Sequence, residues 1–223
     1  PDGARPAADN DRPAAGPPPF SAAPPTGPIL SDSRFRRMAL CHGTAVMVSL
    51  MAFVHQVPYA IDNGIEKVAA AASLGALGLA GLVGQFFFGW VSDRMADPKY
   101  SAALGYMAMA AGLVILLQAR TVEMLLAYAM VFGFGYGCLG PVLPILAADR
   151  FGRQAMGAVF GLLIFFVVGL GGALGPLLGG LVYDLAGSYR WAWMLDVGLL
   201  IGAAAGVMTL ARQRREAASK PDV

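Results

Sequence analysis

Six long apolar stretches, separated by short polar segments, fill the chain from about residue 34 to residue 212. A helix needs roughly 20 apolar residues to cross the hydrocarbon core of a bilayer. Only helices and closed barrels satisfy their backbone groups there, and the short alternating strands of a barrel are not found in this sequence. We therefore predict an all-α membrane protein with six transmembrane helices. The predicted spans are residues 38–60, 68–90, 101–118, 122–147, 154–182 and 191–211.

The composition agrees with a membrane protein, because 57% of the residues are hydrophobic and only 13% are charged. Soluble domains carry about 25% charged residues. The two cysteines, Cys41 and Cys138, both lie in apolar stretches, which favours buried small side chains over a disulfide or a metal pair. We predict no metal site, no cofactor and no nucleic-acid partner; the lipid bilayer is the expected surrounding.

Residues 1–33 differ from the rest, because they hold nine of the 15 prolines and no apolar run. Such a segment cannot bury a core, so we predict a disordered cytoplasmic linker rather than a signal peptide. The chain begins with Pro1 instead of Met, which suggests a fragment or a processed product. Residues 34–212 then form the six-helix transmembrane domain, and residues 213–223 form a cytoplasmic tail.

The basic residues alternate between the two sides of the predicted spans, and positive charge favours the cytoplasmic side. Three of them fall on one side: Lys67, Arg120 and Arg190. Eleven fall on the other: Arg34, Arg36, Arg37, Arg94, Lys99, Arg150, Arg153, Arg212, Arg214, Arg215 and Lys220. The bias predicts an integral protein of the plasma (inner) membrane with both termini in the cytoplasm, as an even number of spans requires.

Three motifs lie where predicted spans end. Residues 89–94 read GWVSDR and are followed by MADPK at 95–99. The first six resemble the G-x-x-x-D-R core of the loop signature of the major facilitator superfamily, although the usual x-G-R-R continuation is replaced. The passage between the tenth and eleventh helices of that superfamily resembles residues 141–152 with 156–161. The hairpin before its twelfth helix resembles residues 183–191. The resemblance implies one half of a twelve-helix bundle, the C-terminal one, with the linker as the central loop and an N-terminal half missing upstream.

Residues 54–64, VHQVPYAIDNG, resemble the prokaryotic members of the monocarboxylate and oxalate–formate transporter group. This resemblance implies secondary active transport of a small solute, a monocarboxylate or a related organic anion, by alternating access. It also implies a cation that pairs with the substrate carboxylate, but spans 68–90 and 154–182 contain no Arg or Lys. The cation is then expected in the missing half. A non-transporting six-helix partner or assembly subunit is the alternative.

Polar residues inside the spans are the candidates for contact with a small-molecule substrate. His55 could titrate near physiological pH or donate to an anion, whereas an interfacial His is the alternative. Tyrosines equally suit the aromatic belt at the membrane surface. His42, near the inner end of the first span, is predicted to be interfacial. The substrate-cavity candidates are His55, Gln56, Tyr59, Tyr128 and Tyr136.

Two acidic–basic pairs at the cytoplasmic ends of spans are the gating candidates, Asp93 with Arg94 and Asp149 with Arg150. The resemblance implies that such a hairpin latches one state of alternating access, and a solvated turn is the alternative. We predict that the chain is not an enzyme, because no hydrolase or metalloprotease motif is present and four aspartates fall in loops or at helix ends: Asp62, Asp93, Asp149 and Asp184.

Overall fold

A computed structural model describes residues 26–211, and every regular element in that range is helical. The elements are α1 (Thr26–Ser31), α2 (Ser33–Asp62), α3 (Lys67–Arg94), α4 (Lys99–Gln118), α5 (Val122–Tyr136), α6 (Leu139–Ile164), a π-helical segment (Phe165–Gly171), α7 (Gly172–Ala186) and α8 (Arg190–Met208). Residues 1–25 of the predicted linker and the predicted tail lie outside the described range. The last part of the predicted linker forms α1.

Within residues 26–211, six helical spans are long and apolar enough to cross a membrane, which confirms the predicted fold class. Helices α2, α3, α4 and α8 each supply one span. The fourth span, Val122–Gly152, joins α5 to the first part of α6, and the fifth, Gln154–Ala186, runs from the rest of α6 through the π-helical segment into α7. Gly152 separates these two spans because its φ of 77° is not helical.

Side-chain caps define where three of the helices begin. Asp32 accepts a hydrogen bond from the Arg34 backbone N–H at 2.7 Å, and Glu66 accepts one from Ala69 at 3.0 Å. Thr121 caps α5 in the same way. Each cap satisfies a backbone donor that the first turn leaves free. The hydrogen bond from the Arg34 side chain also lowers the pKa of Asp32, which keeps this cap ionised.

The six spans form two groups of three with matching contacts. In the first group, α2 packs against α7, the π-helical segment and α8, which all belong to the last two spans. In the second group, α5 packs against α3 and α4, and α4 and α8 pack against each other. If each of the first three spans is exchanged for its counterpart among the last three (first with fourth, second with fifth, third with sixth), the same pairs of spans stay in contact. Such symmetry is expected of a bundle built from a structural repeat.

Glycines allow the closest helix contacts. A Cβ atom added at Gly84 of α3 would overlap the carbonyl oxygen of Phe134 of α5 and lie 2.9 Å from its carbonyl carbon. At Gly171 an added Cβ would lie 2.8 Å from the carbonyl oxygen of Gly43 of α2. Small residues at these crossings let the backbones touch, which is how helices associate where water supplies no driving force.

The fifth span buries every fourth residue. This series runs through the π-helical segment and consists of Val159, Leu163, Val167, Gly171, Gly175 and Gly179. In an α-helix of 3.6 residues per turn, a strict four-residue spacing drifts around the helix. The π-helical segment has wider turns and reduces this drift, so that the series stays directed toward α2.

The described ends of the chain meet at one end of the bundle. Arg37 of α2 donates to the Thr209 carbonyl oxygen at 3.1 Å, and Lys99 donates to that of Leu210 at 3.2 Å. Arg34 donates to the Arg150 carbonyl oxygen at 2.9 Å. The segments that the sequence groups as the more basic side therefore lie together.

Candidate functional site

A cleft of about 270 Å³ opens between α3 and the junction of α5 with α6. Four glycines line it, and they differ in what they do: Gly78 faces open space, whereas Gly137 lets the junction of α5 with α6 touch the backbone of α3. The other two are Gly81 and Gly140. Gln85 of α3 and Tyr136 of α5 supply its polar groups, and Leu82 and Leu139 complete the lining. The cleft combines apolar walls with few polar groups, as small-molecule sites do.

Gln85 and Tyr136 can bind a polar solute by hydrogen bonds. The Gln85 side chain is exposed, and its amide offers both donors and an acceptor. Tyr136 packs edge-on against Phe53 of α2, with ring centroids 4.9 Å apart, which fixes the ring at the wall of the cleft. No Asp, Glu, Lys, Arg or His lines the cleft, so the cleft in this chain supplies directional hydrogen bonds and no formal charge.

Sequence reasoning missed Gln85. The signal was present, because Gln85 is the only amide or ionisable residue within the apolar span 68–90. A polar side chain at membrane depth indicates a functional site unless it has a partner inside the protein.

Of the five substrate-cavity candidates, Tyr136 alone lines this cleft. His55 lies elsewhere, between α2, α7 and the loop before α8. Its Nδ1 lies 3.2 Å from the Tyr189 hydroxyl, and its Nε2 lies 3.0 Å from the Pro176 carbonyl oxygen. Burial raises the pKa of Tyr189, so the phenol stays protonated and can donate to Nδ1 while Nε2–H donates to the carbonyl. Both ring nitrogens are thus engaged within the fold.

The other three candidates lie inside the helix bundle. Gln56 and Tyr128 are fully buried, and their side-chain polar atoms have no hydrogen-bond partner among the described residues. Tyr59 donates to the Leu117 carbonyl oxygen at 3.4 Å and packs edge-on against Trp193. In this conformation these residues do not reach the cleft, and their contact with substrate stays a prediction.

A buried ion network lies at the basic end of the bundle. Arg150 is fully buried and donates to Asp97 at 2.7 Å and to Asp149. Lys99 lies 3.8 Å from Asp97. Burial alone would raise the pKa of Asp97, but the hydrogen bonds from the Lys99 backbone and the Arg150 side chain outweigh it and lower the pKa. The network joins the loop before α4 to α6.

The two pairs of gating candidates differ in their surroundings. Asp149 and Arg150 belong to the ion network, together with Asp97, which the sequence analysis did not select. Asp93 and Arg94 are exposed at the end of α3, and the Arg94 guanidinium stacks over the Trp90 ring at 4.1 Å. Asp97 lies in the segment 95–99, which replaces the usual x-G-R-R continuation of the loop signature. One of the two acids that pair with Arg150 therefore comes from the part of the motif that differs from the superfamily pattern.

The fold and the motifs define a helical membrane transport protein. The family model described as Major Facilitator Superfamily matches residues 38–223, and the chain belongs to this superfamily. The suspected resemblance is thereby confirmed.

Curated relatives within the superfamily are named as monocarboxylate transporters. Monocarboxylate transporter 12-B of Danio rerio is 30% identical over 156 residues, which cover 68% of this chain and 32% of the relative. Monocarboxylate transporter 2 of Homo sapiens is 29% identical over 170 residues, 71% of this chain and 35% of the relative. The matched region is thus about a third of the length of these relatives.

A solved structure shares the fold. The crystal structure of an Escherichia coli fucose:proton symporter variant superposes with a TM-score of 0.70 at 18% identity, covering 83% of this chain and 45% of the symporter. At this identity the likeness shows the helical arrangement alone.

Proposed function

We propose that this chain forms the C-terminal half of a secondary transporter that moves a monocarboxylate or related organic anion by alternating access. The observation that carries the proposal is the similarity to monocarboxylate transporters over most of the chain. The cleft beside Gln85 and Tyr136 supports it, because it offers a small site with two hydrogen-bonding groups between helices of one half.

The missing upstream half completes the site in this proposal. Transporter sites lie near the midplane between two repeats, and one wall alone binds weakly. A carboxylate in the membrane needs a compensating positive charge, and the described cleft contains none. The pairing cation is therefore assigned to the upstream half, while Gln85 and Tyr136 orient the solute.

The ion network supplies a latch in the same proposal. Arg150 joins two acidic groups that belong to different segments, Asp97 before α4 and Asp149 within α6. A buried ion pair of this kind is costly to leave half-broken, so it suits a contact that is either fully made or fully open. The latch lies at the basic end of the bundle, and we assign this end to the cytoplasmic side of the plasma (inner) membrane.

The test is transport by the full-length natural protein in vesicles, with labelled monocarboxylates as solutes. Gln85→Ala removes one hydrogen bond to an anion, which is worth about 1.5–3 kcal/mol. We expect KM to rise roughly tenfold or more, since each 1.4 kcal/mol corresponds to a factor of ten.

Gln118→Ala is the matched control, because Gln118 is an exposed amide at the end of α4 that bonds only its own helix at Val114. It should leave KM unchanged. An equal KM for wild type and Gln85→Ala would show that Gln85 does not contact the solute. If the wild type takes up no labelled monocarboxylate in a saturable way, the proposed substrate class is refuted.

A further inference from the structure

Asp196 is a buried carboxylate in the middle part of α8 that the proposed site does not use. Only 2% of the residue is exposed, and its Oδ2 atom has no hydrogen-bond partner among the described residues. The side chain lines a small cavity of about 30 Å³, whose other walls are apolar side chains of α2, α7 and α8, among them Met47, Met51 and Leu178. An ionisable residue inside a membrane span is a functional candidate by default.

No buried cation among the described residues is free to neutralise this carboxylate. The buried side chains that can carry positive charge are His42, His55 and Arg150. His42 is held by the Tyr106 hydroxyl at 2.7 Å and by the Leu139 carbonyl oxygen at 3.0 Å. His55 is held by Tyr189 and Pro176, and Arg150 by its two aspartates, as described above.

The helices that line the cavity are α2, α7 and α8, and none of them places a compensating charge in its lining. The Tyr128 hydroxyl of α5, which is also buried, is a weak acid and carries no positive charge. From α2, His55 stands one turn beyond Met51, and from α7 the cavity receives only apolar side chains. An ionised carboxylate here would therefore be buried without a partner, which costs far more than binding a proton.

The cavity selects the ligand by its size and its lining. A space of about 30 Å³ exceeds the roughly 10–15 Å³ that one water molecule needs, but it is far smaller than an organic solute. A metal cation needs several oxygen ligands at once, whereas Asp196 is the only oxygen-bearing side chain in the lining. A proton needs one oxygen, and a single water can take the hydrogen bond of the resulting acid.

We propose that Asp196 is a proton-binding site inside the six-helix bundle, occupied as a neutral carboxylic acid at neutral pH and separate from the cleft at Gln85. The site joins α8 to α2 and α7 across the cavity, so the proton is part of what allows these three helices to pack. The cavity and its lining belong to this chain alone, so the proton site does not depend on which solute the transporter carries.

Infrared spectroscopy tests the site directly, because a protonated carboxylic acid has a carbonyl stretch that a carboxylate lacks. The full-length protein is measured at pH 7 in a detergent without ester groups. We expect the wild-type spectrum to show this band and Asp196→Asn to lose the intensity of one carboxylic acid. Asp184→Asn, at an exposed aspartate of α7, is the matched control and should leave the band unchanged.

Selective ¹³C labelling of the aspartate side-chain carboxyl groups in the wild type gives a second measurement that needs no variant. The band should shift to lower frequency on labelling, so the proposal stays testable even where Asp196→Asn fails to fold. A wild-type spectrum without a protonated aspartic-acid band, or an Asp196→Asn spectrum that retains it at full intensity, would overturn the assignment.

Discussion

Replacing Gly84 by Ala should separate α3 from α5 and weaken the bundle. The new Cβ would overlap the carbonyl oxygen of Phe134 and stand 2.9 Å from its carbonyl carbon, whereas ordinary contact begins at 3.4 Å. The two backbones would have to move apart by at least the difference of 0.5 Å. Neither backbone can rotate away as a side chain would, so the strain spreads along both helices.

The magnitude follows from two opposing effects. Overpacking a tight contact costs about 1–3 kcal/mol, and a backbone contact belongs at the upper end of that range. Alanine gains about 1 kcal/mol over glycine in a helix. We expect a net loss of about 2 kcal/mol for Gly84→Ala. Gly75→Ala on the same helix meets nothing within 4 Å and should be neutral or stabilising by up to about 1 kcal/mol.

The assay is reversible unfolding of the two variants and the wild type in the same bilayer-mimicking medium, with the free energy of unfolding as the readout. The variants should differ by about 2–3 kcal/mol, with Gly84→Ala the less stable. Equal stabilities, or a more stable Gly84→Ala, would show that α3 and α5 do not touch through their backbones at this point.

Three further predictions concern the ion network, the orientation and the missing half. The pKa of Asp97 is lowered in the fold, so its contribution to stability is complete above its usual value of 3.8 and is lost as the pH falls through the lower folded value. The unfolding midpoints of wild type and Asp97→Asn should therefore differ at neutral pH and converge in acid, and a difference that persists unchanged in acid would contradict this. Cysteines placed at the exposed positions Ala96 and Ala186 should react with an impermeant thiol reagent from opposite sides, Ala96→Cys from the cytoplasm, and labelling of both from one side would refute the six-span orientation. Vesicles that hold residues 1–223 alone should show no saturable carboxylate uptake, with recovery on co-expression of the upstream half, whereas robust uptake by the purified chain would indicate a transporter built from two copies.

The sequence alone predicts the fold class well, because span length and hydropathy are set by the thickness of the bilayer. Six apolar stretches therefore become six helical spans whatever their detailed packing. The π-helical segment Phe165–Gly171 could not be predicted in this way. Its glycines give no amphipathic pattern, and the wider turn is stabilised by contacts with α2 that lie far away in the sequence.

The candidate site was predictable only in part, because polarity in a span does not reveal the direction of a side chain. His42 shows this, since its place near the inner end of the span predicts a depth in the membrane but not that its ring is buried against Tyr106 and Leu139. Tyr136 lies at the cleft, but Gln85 was overlooked because no helical-face argument singled it out. Asp97 was overlooked because it follows a motif that draws attention to Asp93.

The π-helical segment also decides which face of the fifth span meets α2. If the same residues, Phe165–Gly171, were wound as ordinary α-helical turns of 3.6 residues, everything that follows would be rotated about the helix axis relative to what precedes. Gly175 and Gly179 would then turn away from α2, and larger neighbours such as Leu174 and Leu178 would face the contact. Related chains should therefore either keep the π-helical turns or lack one residue in this segment, because both solutions leave the glycines facing α2.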